Sequence, residues 1–170
     1  RFRMSDSLFE QLETSMQNGG VEAVLGQLVT GLVKEKKYHE LFEALKMQVR
    51  HSIGLPLLYG ESGDELEESQ RTALEDGLIS ACRQVGMGLL KEGRISEGYM
   101  YMRPVGDRQA VKEVLDPVEV GESNLDELVE VLLQEGVDVE RGFQIVLDSY
   151  GTCNSITTYE TVVAHKSKPE

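Results

Sequence analysis

The chain has 170 residues, 40% of them hydrophobic and 28% charged, a balance that fits an ordinary globular domain and excludes wholesale disorder. Thirty acidic residues against seventeen basic ones give a formal charge of −13, so the mean field repels phosphate backbones and anionic lipid; neither nucleic acid nor a membrane is an expected partner. There are two cysteines, Cys82 and Cys153, no apolar run near the ~20 residues of a membrane span and no signal-peptide core, so a reducing, cytoplasmic setting is the expectation.

Arg1, Phe2 and Arg3 precede Met4, whose continuation Ser5-Asp6-Ser7 reads as a native start, so residues 1–3 are read as either a vector-derived remnant or an upstream extension. Ser5, Asp6 and Ser7 are candidate N-caps for a first helix carrying Leu8, Phe9, Leu12 and Met16 at helical spacing, which Asn18-Gly19-Gly20 should end. Val24, Leu25, Leu28 and Leu32 continue the period in a second helix, and Leu41, Phe42, Leu45, Val49 and Ile53 in a third. Only the turn Glu35-Lys36-Lys37 separates these two, which predicts an antiparallel hairpin. Gly54 and Pro56 stop the third helix.

An acid-rich stretch from Gly60 to Glu68 reads as a long loop, and its acids lack the alternating spacing of a calcium-binding loop. The next helix should run from about Gln70 to Leu90. Its glycines at 77, 86 and 88 imply either a bend near Gly86 or a neighbouring backbone packed closely there. Gly93 ends it. Ile95, Tyr99 and Met102 begin a short helix closed by Pro104, and Val111, Val114 and Leu115 mark another before Pro117. Ser123 and Asn124 offer an N-cap for a segment from Leu125 to Leu133 that stops at Gly136, and Asp138 one for a helix with Phe143, Val146, Leu147 and Tyr150 on its apolar face. Gly151 should end that helix in a polar loop, and Thr157 with Glu160 matches a capping box for a last short helix. Residues 166–170 read as a polar tail. No segment alternates with period two, so no substantial sheet is expected.

No cofactor or metal site is expected. His39-Glu40 begins like HExxH, but Glu43 stands where the second histidine ligand is required. Gly60-Glu61-Ser62-Gly63 falls one residue short of a nucleophile elbow, and Gly86, Gly88 and Gly93 do not form a dinucleotide fingerprint. Two features remain as candidate sites. Cys153 and Asn154 lie in the polar segment from Gly151 to Ser155, where a thiolate at a helix N-terminus would be activated with His165 as base; capping and turn chemistry explains the same residues without reactivity. Tyr99, Tyr101 and Arg103 belong to residue types enriched in binding hot spots, and two positions apart on one helix Tyr99 and Tyr101 cannot face the same core.

The segments LVKEKKYHELFEAL and LLKEGRISEGYMYM resemble the helix-turn-helix of tetratricopeptide-type repeats. Their spacing does not follow a fixed period of about 34: Tyr38 and Ile95 are 57 positions apart, Ile95 and Val139 44. The stretches ACRQVGMGLLKEGRISEGYMYMRPVGD and GTCNSITTYE also resemble an uncharacterised bacterial family whose members are longer than this chain; that resemblance implies that Glu170 is a boundary inside a longer protein and brings no activity with it.

The expected architecture is therefore all-α: one domain over residues 4–165, about eight or nine helices in antiparallel hairpins, either helical-repeat-like or a compact orthogonal bundle. The expected function is a non-enzymatic protein-interaction or scaffold domain, the N-terminal part of a longer bacterial protein, with a protein as partner. The alternative is an enzyme or regulatory ligand-binding domain with a pocket near Cys153.

Overall fold

The computed structural model describes residues 6–58 and 66–166, with the backbone alone at 6–8, 153–155 and 158–166. Residues 1–3, most of the acid-rich stretch and the tail beyond Lys166 lie outside this range. The described residues form seven α-helices, one π-helical stretch and no strand. Contacts group the chain into two compact units, Arg1–Gly88 and Leu89–Glu170.

The first unit begins with α1 (Asp6–Lys34), which is helical on both sides of one residue, Gly20, at φ 67° and ψ −158°. That conformation is essentially restricted to glycine. The expected break at Gly19-Gly20 is thus present, but no loop follows it: helix resumes at Val21. Gln27 Nε2 donates to Gln11 Oε1 at 2.8 Å. On a straight helix residues sixteen apart would lie about 24 Å from each other, so Gly20 folds the first part of α1 back beside the second.

The link from α1 to α2 (Tyr38–Ser52) follows from the backbone hydrogen bonds of its turn. Lys36 adopts a left-handed φ of 55°, its N–H donates to Val33 O at 3.1 Å, and Lys37 N–H donates to Leu32 O at 3.0 Å. These are the two bonds of a Schellman motif, which satisfies the last carbonyls of α1 and turns the chain into an antiparallel neighbour. Helix α3 (Glu68–Lys91) has no non-helical residue at Gly86, and its other glycines explain themselves by proximity. A Cβ on Gly88 would lie 2.2 Å from the Tyr38 ring, and one on Gly77 2.4 Å from Val49. The close neighbours at these two glycines are side chains of α2, whereas a neighbouring backbone near Gly86 was the expectation. Leu25, Leu32, Leu41, Ala44, Ala81 and Val85 form the buried set of this unit.

The second unit carries α4 (Ile95–Met102), α5 (Arg108–Leu115), α6 (Leu125–Val129), a π-helical stretch (Glu130–Gln134) and α7 (Val139–Lys166). Its turn from Leu89 to Arg94 repeats the Schellman pair of the α1–α2 turn: Gly93 N–H, at φ 78°, donates to Leu90 O and Arg94 N–H to Leu89 O, both at 3.0 Å. Leu89, Leu90, Ile95, Met102, Val111, Leu115, Leu128 and Val131 to Leu133 are almost fully buried, each stabilising the fold by about 1.5–3 kcal/mol relative to exposure. The π stretch touches α4, α6 and α7, which explains how three consecutive residues can all be buried. A Cβ on Gly142 would meet Leu133 Cβ at 2.7 Å and its backbone nitrogen at 2.9 Å, so α7 packs backbone to backbone there.

Several local expectations require correction. Asn124 makes no side-chain cap; its Oδ1 accepts from Gly121 N–H at 2.8 Å and its Nδ2 donates to Glu119 O at 3.0 Å, bracing the loop instead. Asp138 does cap α7, accepting from Arg141 N–H at 3.2 Å. Leu147 and Tyr150 are exposed, while Ile145 and Val146 take the inner face of α7. The polar segment 151–155 is no loop: only Gly151 leaves helical geometry, at φ 75° and ψ 174°, and Thr152 to Lys166 is helical. Thr157 and Glu160 consequently stand inside a helix rather than at its start.

Candidate functional site

The expected Tyr99–Tyr101–Arg103 cluster lies on α4 and the turn after it, and the structure divides it. Tyr99 is only 6% exposed, Tyr101 is half-buried, and Arg103 is exposed. Met102 N-terminal to the turn is buried and anchors it, and Gly106, at φ 73°, redirects the chain into Asp107. Asp107 Oδ1 accepts from Ala110 N–H at 3.0 Å and starts α5 as an N-cap. The turn thereby sets Arg103 and Arg108 on the rim of one open cleft of about 420 Å³, with Tyr99, Val111 and Glu135 among its lining; Tyr101 does not line it.

Within the cleft the Arg103 guanidinium lies over the Tyr99 ring, 5.7 Å from its centroid, in cation–π geometry. The same guanidinium pairs with the Glu135 carboxylate. Burial first, and the Glu135 charge second, push the Tyr99 phenol above its ordinary pKa; Arg108 and Arg103 pull it the other way. The phenol stays a neutral donor at physiological pH.

A count of hydrogen-bonding capacity shows what the cleft can still accept. Glu135 is engaged by Arg103, and Asp107 by the α5 cap. Among the described residues no acid pairs with Arg108, whose planar fork carries five N–H donors. The free capacity is therefore donor capacity from arginine, suited to carboxylate or carbonyl oxygens. Tyr99 and Arg103 stand out in the sequence by residue type, whereas Arg108, Asp107 and Glu135 do not. Gly106-Asp107 was a readable cap signal, whereas nothing local relates Glu135 to a helix more than thirty residues before it.

The backbone of Cys153 and Asn154 is helical, and their side chains, like that of His165, lie outside the described residues. Cys82, a free thiol, is half-buried and its pKa is raised by burial, the direction that disfavours a nucleophilic thiolate. A second cleft, about 520 Å³ in the first unit, is lined by Glu22, Leu25, Gln48, His51 and Ser52. There the Ser52 hydroxyl donates to Val49 O at 2.7 Å, which leaves no serine–histidine pair. Among the described residues no group of three His, Cys, Asp or Glu side chains is placed to hold a metal ion, and no helix is long and apolar enough to cross a membrane. Comparison with known proteins finds no matching family model, no matching curated protein and no matching solved structure.

Proposed function

We propose that this chain is a helical-repeat-like interaction module that holds a segment of a partner protein in the cleft between α4 and α5. The observation that carries the reading is the cleft's rim: Arg103 stacked on Tyr99 and tied by Glu135, beside an Arg108 with no acidic partner among the described residues. A rigid aromatic floor with a pre-positioned cation is the arrangement that dominates binding energy at protein interfaces, because little side-chain entropy remains to be lost. The repeated helix–turn–helix at Leu32 to Leu41 and Leu89 to Gly98, with the same pair of turn hydrogen bonds in each, supports the repeat-like part of the reading. The partner offers carbonyl or carboxylate acceptors to the rim.

The test is affinity capture from lysate with the native chain and with an Arg103→Ala/Arg108→Ala double variant, each identified by mass spectrometry. A protein retained by the native chain and depleted at least tenfold by the variant is the expected result. A set of captured proteins identical for both forms would refute the cleft as the binding surface.

A further inference from the structure

The first part of α1 presents Phe9, Leu12 and Met16 within an arc of about 60°, taking 100° per residue. Phe9 is 57% and Met16 53% exposed, and Leu12 is half-buried. Gln11, which bonds to Gln27 at 2.8 Å, lies about 130° around the helix from the middle of this stripe. The returning second part of α1 therefore covers another flank and leaves the stripe open. Scattered apolar side chains on a surface need no explanation, but three aligned at i, i+3 and i+7 form the pattern by which helices anchor to one another.

The charge around the stripe selects its occupant. Exposed Glu13 lies on one edge of it, about 40° beyond Phe9, and from Met4 to Val33 the sequence contains no Lys, Arg or His. We infer that the Phe9–Leu12–Met16 stripe is a docking surface for a basic amphipathic helical segment of another protein. A second copy of this chain is disfavoured, since apposing two such stripes antiparallel sets Glu13 beside its own counterpart. A lysine-bearing helix instead gains at the rim what a like-charged one loses. This surface is independent of the Tyr99 cleft, and neither stands or falls with the other.

The experiment uses the full chain and three labelled peptides of about 18 residues, read by fluorescence anisotropy: an amphipathic Leu/Lys helix, a scrambled peptide of the same composition, and an amphipathic Leu/Glu helix. The ordered Leu/Lys peptide should bind, and the other two at least tenfold more weakly. Phe9→Ser/Met16→Ser should weaken binding about tenfold, with unchanged circular dichroism because both side chains are exposed. Glu13→Gln should reduce the salt dependence of binding, while Met100→Ser, at an exposed methionine in the other unit, should leave binding unchanged. Equal binding of ordered and scrambled lysine peptides would reduce the effect to attraction by the net charge and overturn the inference. So would no binding at all, or a dimer in sedimentation that Phe9→Ser/Met16→Ser dissociates.

Discussion

Lys36 and Gly93 occupy the same place in two turns with the same hydrogen bonds, yet only one of them suits the left-handed backbone that place requires. A lysine there carries a steric penalty that glycine does not. Lys36→Gly should raise stability by about 1 kcal/mol in urea unfolding, and Gly93→Lys should lower it by a similar amount. Asp138 supplies a pH-dependent contribution. Its carboxylate pairs with Lys112 Nζ at 2.8 Å, and chiefly through that bond, with the Arg141 N–H adding to it, its pKa lies below the ordinary aspartate range. The unfolded chain then binds the proton more readily than the fold, so this stabilisation is full above the ordinary aspartate pKa near 3.9 and is lost as pH falls below it. Urea melts from pH 7 to 2.5 should show Asp138→Asn lacking that part of the acid-side decline. Asp138 was legible because a cap is a local signal. The cleft was legible by half, because Tyr99 and Arg103 are recognisable residue types whereas Glu135 joins them only through tertiary packing.

Among the elements, the two ends of the chain share one device. Gly20 and Gly151 each interrupt a long helix with a single residue at φ near +70° and extended ψ. Alanine is strained there by about 1–3 kcal/mol, so Gly20→Ala should favour a straight α1. Spin labels at positions 11 and 27, adjacent in the native fold, should then report a separation of about 24 Å; an unchanged short distance would show that the fold-back does not depend on glycine. Sequence reasoning located Gly20 because Asn18 and Gly19 strengthened the stop. At Gly151 the residues signal a stop but not the helix beyond it, since Thr, Asn and Ser are turn residues as well as tolerated helix residues, and a capping-box pattern can occur in mid-helix. The π stretch left no signal either, because Leu125 to Leu133 has the same apolar spacing in an α-helix, and the extra residue is decided by packing against α4 and α7.

For the molecule as a whole, composition and period sufficed for the all-helical class, and glycine and proline placed most helix ends to within a few residues. They did not suffice for the grouping into two units, which depends on contacts far apart in sequence. One such contact lies inside the second unit. The residue before α4, Arg94, provides no side-chain cap; instead Glu127 Oε2 accepts from Ser96 N–H at 2.9 Å, and Glu130 Oε2 accepts from the Ser96 hydroxyl at 3.1 Å. The first turn of α4 is thus completed by acids more than thirty residues later, on α6 and the π stretch. A helix of eight residues is marginal by itself, so α4 has little reason to persist until the later chain has docked, and these elements should open and close as one cooperative block. In native-state hydrogen exchange the Ser96 amide should share the protection free energy of α6. Glu127→Ala should lower the protection of both together, by about 1 kcal/mol, while leaving α2 at its native rate.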